Sequence, residues 1–317
     1  MISVLIFTKN EEGNLPGCLE SARWSDDIHV CDSGSADGTV AIAQRAGAHV
    51  LEKASRNEET IFGGNEAEHK NWALSNIPFQ YEWVLHLDAD ERVTPELAAS
   101  IQRAVRNPGD KVAFRMQRRD FWGDRWLKHS QACSYYPRLF RPEKMRYERL
   151  INPVSLPDGP VGELAGFLDH HPFRKGVAHW LSRHNSYSSL EARQIAINRA
   201  ANRRFRLGEA FFGKTSDERR FHQKGLFYGM PGRPLLRFLF FYVAKRGFLD
   251  GRAGFRYAVL QSFYEYMIVL KARELPRDGL AAADPATAAG EARAAAQKNL
   301  AANRNASDSS PAGFHRM

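Results

Sequence analysis

Four short polar clusters in this sequence are built from residues that do chemistry: TKNEE at Thr8–Glu12, DSGSADGT at Asp32–Thr39, HKN at His69–Asn71 and DADE at Asp88–Glu91. Asp88 and Asp90 follow an apolar run, Trp83–Leu87, that reads as a buried strand. On a continuing strand they would point to opposite faces, but as the strand relaxes into a loop both can turn to one cation. Magnesium or manganese takes few protein carboxylates and bridges to substrate phosphates, so one or two aspartates are enough. A solvated turn before the Thr94-Pro95 helix start is the plainer alternative. A phosphatase of the aspartyl-phosphate type wants its DxD on the first strand with a threonine two residues on, and here Arg92 follows Glu91.

The DSGSADGT loop sets an acid at a strand end and follows it with small, turn-forming residues. Asp32 there suits hydrogen bonds from a ribose or base, whereas Asp37 suits the cap of the next helix. With no GxGxxG and no Walker loop, neither a hydride-transfer cofactor nor an ATP cradle is supported. The phosphates of a nucleotide would need another counter-charge.

These clusters must be positioned by the elements between them. Ile2–Phe7, Ile28–Cys31, Ala48–Leu51 and Trp83–Leu87 read as short buried strands. Leu15–Ala22, Gly38–Ala46, Asn65–Leu74 and a segment opened by Pro95 read as helices. That alternation predicts an α/β fold with a mostly parallel sheet covered on both faces, whose strand ends gather three of the four clusters on one rim. From Lys111 to about His171 aromatics and prolines predict short strands and long loops, the material of an acceptor face. Gly176–Gly208 reads as mainly helical, and two further helices break around Gly247–Gly254. The tail after Pro276 has almost no large apolar residues and is expected to be disordered.

The chain has 317 residues, 43% of them hydrophobic, enough for a sizeable core. A net charge of +9 favours an anionic partner without choosing among nucleic acid, phospholipid and phosphorylated small molecules. Cys18, Cys31 and Cys133 lie far apart, so neither a zinc site nor a disulfide framework is suggested. The start, MISVLIFTKNEE, is too short an apolar run for a signal-peptide core or a span, which places the chain in the cytoplasm as an expectation.

The segments SVLIFTKNEEGNLPGCLESA, VCDSGSADGTVAIAQRAGAHV, HKNWAL and WVLHLDADERVTPEL together resemble the catalytic domain of family-two glycosyltransferases with the GT-A fold. The subgroup resembled adds sugars to lipopolysaccharide core or to lipid-linked polysaccharide repeats. KRGFLDGRAGF, Lys245–Phe255, is similar to the C-terminal helical region of that subgroup. The resemblance implies a GT-A domain over residues 1–175, with a nucleotide-binding half at 1–110 and an acceptor half at 111–175, then a helical, membrane-associating region at 176–275. It implies that Thr8, Asn10 and Glu11 line the nucleotide pocket and Asp32 holds the uracil or ribose. Lys70 and Asn71 would face the nucleotide, and Asp88 and Asp90 would bind Mg2+ or Mn2+, with Asp90 the direct ligand. The implied reaction transfers a hexose from a nucleotide sugar, most often a UDP-sugar, with inversion, to a lipid-linked or lipopolysaccharide acceptor.

The subgroup commonly carries a His-Glu or Asn-Glu pair after its RLF-type motif, but YPRLFRPEKMRYERLINPVS places Pro153 after Asn152. Glu148 is the nearest carboxylate and is taken as the base, ahead of Glu163 and Asp169. His170 and His171 could bind metal or acceptor phosphate, but they point different ways on a strand, which disfavours a joint metal site and leaves a structural or acceptor-loop role as the default. In the C-terminal helices arginines interleave with phenylalanines while the longest apolar run, Phe238–Ala244, is far short of the roughly 20 residues a span needs. Such a pair suits peripheral contact with an anionic membrane on its inner face, or simple packing on the catalytic domain. A basic nucleic-acid-binding protein is the competing class, without a helix-turn-helix, RNA-recognition or zinc motif to support it. A catalytically silent nucleotide-sugar-binding relative is the other.

Overall fold

A computed structural model describes residues 1–53, 65–131, 135–148, 152–200, 205–213 and 216–275. The expected disordered tail and Cys133 lie outside these residues.

The chain first alternates strand and helix: β1 Ser3–Thr8, α1 Leu15–Ala22, β2 Asp27–Asp32, α2 Thr39–Arg45, β3 His49–Glu52, α3 Glu66–Asn76 and β4 Val84–Asp88. Then follow β5 Glu91–Val93, α4 Pro95–Arg106, β6 Ala113–Trp122, β7 Arg125–Trp126 and β8 Tyr135–Phe140. A two-stranded sheet of β9 Met145–Glu148 and β10 Val154–Pro157 precedes the long β11, Val161–His170. The main sheet runs β3-β2-β1-β4-β8-β6-β11-β5, with β7 paired to β6. Strands β3, β2, β1 and β4 are parallel, and β8 is antiparallel to both β4 and β6. β6 and β11 therefore run with β1, while β5 runs against β11. This is the α/β class with the mostly parallel GT-A type of sheet that the sequence predicts.

The apolar run of β1 is continuous because both faces are covered. Val4 and Ile6 join Leu15 and Leu19 of α1 and Leu97 and Ile101 of α4. Leu5 and Phe7 point the other way, toward Ala67, Ala73 and Ile77 of α3 and its C-cap. The helix starts follow local rules. Thr94 caps α4 through Leu97 N at 3.3 Å with Pro95 in the first turn, and Asn65 caps α3 through Glu68 N at 3.1 Å. Gly166, in the left-handed region at φ +92°, lets β11 press against α4, where a Cβ would stand 2.5 Å from Leu97 N.

Two features depart from the sequence reading. The DADE segment, expected to relax into a loop, reverses tightly into β5, and of the acceptor-half strands β6, β8 and β11 join the main sheet while β9 and β10 form their own.

The helical region comprises α5 Gly176–Ala200, α6 Leu207–Phe212, α7 Ser216–Gly229, α8 Arg233–Leu239 and α9 Gly251–Glu274. One face of α9, Ala253, Tyr257 and Ala258, packs with Trp180, Phe173, Phe241 and Leu127. KRGFLDGRAGF is a docking turn. A Cβ on Gly254 would lie 2.0 Å from the Gly247 carbonyl oxygen, so only glycine fits that crossing. The buried Asp250 carboxylate accepts from His129 N at 3.0 Å and Ser130 N at 2.7 Å, anchoring the turn to the loop after β7. Among the described residues no helix is long and apolar enough to cross a membrane.

Candidate active site

The carboxyl ends of β1, β2 and β4, parallel neighbours, put Thr8, Asp32 and Asp88 on one rim, and β11 ends on that rim at His170. Within the β4–β5 turn the three acidic side chains find three different environments. Asp88 N–H donates to Glu91 Oε2 at 2.9 Å, closing the turn. Arg138 of β8 donates to Asp88 Oδ2 at 2.7 Å and to Glu91 Oε1 at 3.0 Å, so one guanidinium ties the first and last carboxylates together. Glu91 is fully buried, while the Asp88 side chain is 34% exposed.

Asp90 turns away from Arg138. His170 Nε2 lies 3.3 Å from its Oδ2, and Arg183 Nη1 lies 4.0 Å from the same oxygen. The other ring nitrogen of His170 bonds Asp120 of β6, its register partner, and Arg118 Nε stands 3.2 Å from that carboxylate. Burial alone would lower the His170 pKa, and Arg118 works the same way, but Asp90 and Asp120 outweigh both and lift it to about 9. Burial alone would raise Asp90, yet His170 and then Arg183 hold it below the usual carboxylate range. Asp88 is likewise held well down, burial being outweighed by Arg138 and then His86. Glu91 is pushed up by burial against the pull of Arg138.

Two ligands set at right angles on one small divalent cation stand about 3 Å apart, and Asp90 Oδ2 and His170 Nε2 meet that spacing at 3.3 Å. No group of three or more His, Cys, Asp or Glu side chains among the described residues is arranged around one ion. A site with so few protein ligands suits Mg2+ or Mn2+ shared with a diphosphate. His170, which the sequence offers as a metal or phosphate ligand but assigns by default to a structural or acceptor-loop role, stands beside Asp90. Its separation from His171, which stacks on Phe121, follows the predicted divergence along the strand.

The β1 and β2 loops grip each other. Asp32 is buried, and its carboxylate accepts from Thr8 Oγ1 at 2.7 Å, Gly34 N at 3.0 Å, and Ser35 N and Oγ at 2.7 and 2.6 Å. These bonds make Asp32 shape the loop on the rim where the resemblance places it for the uracil or ribose. Asn10, at a left-handed φ of 55°, accepts from Ala36 N at 2.7 Å. Asp37 caps Thr39 N at 3.0 Å, as predicted.

Lys70 and Asn71, expected to face the nucleotide, also bond within the protein. Lys70 is buried, pairs with Glu66 at 2.9 Å and lies over the Phe7 and Tyr147 rings. Asn71 donates to Tyr147 O at 2.9 Å and accepts from Tyr147 N at 2.8 Å, so its amide is used up in clipping α3 to β9. Glu148 ends β9 on the separate small sheet, more than half exposed and paired with Arg146 at 3.1 Å. Among the described residues it shares no ion pair with the turn. Glu163 pairs with Arg115, and Asp169 with Arg119 at 2.6 Å.

The counter-charge missing from the sequence reading comes from the start of α5. Lys175 donates to Asn10 O and to Glu11 Oε1, both at 2.7 Å, and Arg183 reaches Asp90. His179 lies between them in sequence, its pKa lowered by burial, Lys175 and Arg183. His179 and Arg183 lie four apart on one face of α5, whereas Lys175 precedes Gly176, whose left-handed φ of 84° begins the helix. Glu11 is raised by burial and by Asp90, against Lys175.

Residues 3–159 match the model of glycosyl transferase family 2. The chain is 30% identical over 201 residues to the lipopolysaccharide core biosynthesis glycosyltransferase LpsC of Rhizobium meliloti, covering 61% of this chain and 71% of that protein. It is 24% identical over 278 residues to an uncharacterized glycosyltransferase of Rickettsia typhi, covering 86% of this chain and 87% of that one. Among solved structures it is similar to glucosyl-3-phosphoglycerate synthase of Mycobacterium tuberculosis in complex with Mn2+, UDP and glucosyl-3-phosphoglycerate, at 21% identity and a TM-score of 0.31. That likeness covers 37% of this chain and 43% of the other. The matched segment holds the whole β1 to β4 rim with its DADE turn, and on these grounds the chain belongs to glycosyl transferase family 2.

Proposed function

We propose that the chain is an inverting, metal-dependent hexosyltransferase that takes its sugar from a nucleotide sugar, in the first instance a UDP-sugar. The acceptor we assign is lipopolysaccharide core or a lipid-linked polysaccharide unit, presented at the cytoplasmic face of the inner membrane. The observation that carries the reading is the Asp90 and His170 pair at 3.3 Å, with the Arg183 guanidinium of α5 4.0 Å from the same Asp90 oxygen.

Asp90 and His170 would hold Mg2+ or Mn2+, which when bound stabilises negative charge on a departing diphosphate. The remaining work falls to the chain. Lys175, just before α5, and Arg183 within it would offer positive charge to the same phosphates. Thr8, Asp32, Gly34 and Ser35 hold the β1 and β2 loops in one shape, so the nucleoside meets a preformed wall. Arg138 keeps Asp88 and Glu91 fixed, so the turn presents Asp90 at a set position. The LpsC likeness supports the acceptor class.

The test is transfer from a panel of UDP-sugars to lipopolysaccharide-core and lipid-linked acceptors, with manganese and with EDTA. Turnover should require the metal and should vanish in Asp90→Asn while UDP-free folding is unchanged. Metal-independent turnover, or full activity in Asp90→Asn, refutes the assignment. Tight UDP binding without turnover on any acceptor would identify a silent relative.

A further inference from the structure

The outer face of the α8–α9 pair has no partner among the described residues. Phe248, Phe255, Val259, Phe263 and Tyr266 are each between 42% and 49% exposed. In α9 the positions 255, 259, 263 and 266 lie three or four apart and form one stripe. The stripe is continuous with the neighbouring segment. Phe255 meets Phe238 at 6.1 Å and Tyr242 at 5.6 Å between ring centroids, and Tyr242 meets Phe248 at 6.3 Å. A groove of about 300 Å³ runs between the two helices, lined by Pro234, Phe238, Val259, Ser262, Phe263 and Tyr266. Its lining is apolar apart from the hydroxyls of Ser262 and Tyr266, a lining an alkyl chain can enter. Exposed apolar area of this extent marks a binding surface.

Charge selects the occupant. From Met230 to Leu270 the only acidic residues are Asp250 and Glu265, and both are 3% exposed. Asp250 holds the Ser130 loop, and Glu265 faces Arg233 at 3.4 Å. Arg246, Arg252 and Arg256 are exposed and pair with no carboxylate among the described residues. The face thus shows apolar side chains and positive charge only. A second copy laid on it would oppose arginine to arginine, whereas a bilayer rich in anionic lipid complements both features.

We propose that the α8–α9 face docks on an anionic phospholipid surface, the phenylalanine stripe entering the headgroup boundary and the arginines lying against lipid phosphates. The docking rests on the surface alone; its purpose, holding the rim near a lipid-borne acceptor, rests on the function proposed above. The inner face of α9 gives that purpose a physical route. Tyr257 donates to Gln131 at 2.6 Å, Gln131 bonds the Asp120 carboxylate, and Asp120 bonds His170. The helix that lies on the membrane is therefore bonded through two side chains to the metal-site histidine.

The test is co-sedimentation of the full chain with vesicles of phosphatidylcholine, alone and doped with phosphatidylglycerol, run beside calorimetric UDP binding with manganese. Binding should appear on the doped vesicles, fall with salt, and drop about 25-fold in Arg252→Gln/Arg256→Gln, about fivefold for each cation removed. Phe255→Ser/Phe263→Ser should also release the protein from doped vesicles. Both variants should keep their circular dichroism and their UDP affinity. Equal binding to neutral vesicles, or none to either kind, overturns the docking and leaves the transferase reading standing. A dimer in sedimentation velocity that Phe255→Ser/Phe263→Ser dissolves, in a chain that ignores vesicles, also overturns it and assigns the face to a second copy. Vesicle binding without UDP binding overturns the transferase reading alone.

Discussion

Arg138→Met is the substitution whose cost follows most directly from the geometry of the turn. Arg138 is 7% exposed and serves two carboxylates, Asp88 at 2.7 Å and Glu91 at 3.0 Å. Asp88, a third exposed, can turn to water when the guanidinium is lost. Glu91 cannot, being at 0% exposure with only the Asp88 N–H at 2.9 Å and Arg118 at 3.8 Å left. Removing one partner of a buried pair costs about 3–5 kcal/mol, most of it the stranded charge. Glu91→Gln in the same chain removes that charge and should leave only a penalty of about 1 kcal/mol for the altered hydrogen bonding. The double-mutant cycle should therefore show a coupling of about 2–4 kcal/mol. Urea denaturation at pH 7 in EDTA measures it. The pH dependence has a fixed sign. Burial already raises Glu91 from its ordinary 4.5, and without Arg138 it rises further. A raised carboxylate contributes stability that is present below the unfolded pKa and lost as pH climbs through the folded one. Arg138→Met should therefore be least destabilised near pH 4.5 and progressively worse toward neutrality, a slope absent from the double variant. Additive single-mutant effects, or a flat pH profile for Arg138→Met, would refute the account of the turn.

Three further outcomes are expected. His170, lifted to about 9 from 6.5, contributes stability that is complete below about pH 6.5 and disappears as pH rises through 9. In EDTA the protein should lose on the order of 2–3 kcal/mol across that window, and His170→Gln should flatten the curve; adding Mn2+ in weak buffer at pH 7.5 should also release close to one proton, but none from His170→Gln. Asp250→Ala strands the His129 and Ser130 N–H groups and should cost about 1–3 kcal/mol in a thermal melt, and an unchanged melting temperature would show that the docking turn does not depend on them. Glu148→Gln should turn over at nearly the wild-type rate, because loss of a true general base costs about a hundredfold or more; a drop of that size would restore Glu148 to the mechanism.

The first four strands could be read from the sequence because their side chains are buried on both faces. Val4 and Ile6 enter one core and Leu5 and Phe7 the other, so β1 appears as an unbroken apolar run. The DxD could be read for the opposite reason: two acids just after such a run have no place in a core. His170 carried no comparable signal. It reaches Asp90 only because β11 pairs with β5 and β6, a register that depends on strands far apart in sequence. The pairing of the Asn71 amide with the backbone of Tyr147, 76 residues away, could not be read, because no local pattern records that partner. The placing of Lys175 and Arg183 at the rim was equally hidden, since it depends on Lys175 meeting Asn10 and Glu11, and Arg183 meeting Asp90, far apart in sequence.

What the sequence left undivided, the cations of the structure divide. Asp88 and Asp90 are alike in type and sit on one turn, yet the cation beside each differs in a way that matters for metal binding. Asp88 faces Arg138, and an arginine keeps its proton at every physiological pH, so that carboxylate stays neutralised by the protein itself. Asp90 faces His170, whose pKa of about 9 is high for histidine but within reach of displacement by a divalent cation near neutral pH. On the function proposed above, Asp90 and His170 would hold the cation, His170 giving up its Nε2 proton to do so. Of the two aspartates only Asp90 has a partner that can make that exchange, because the arginine beside Asp88 keeps its proton.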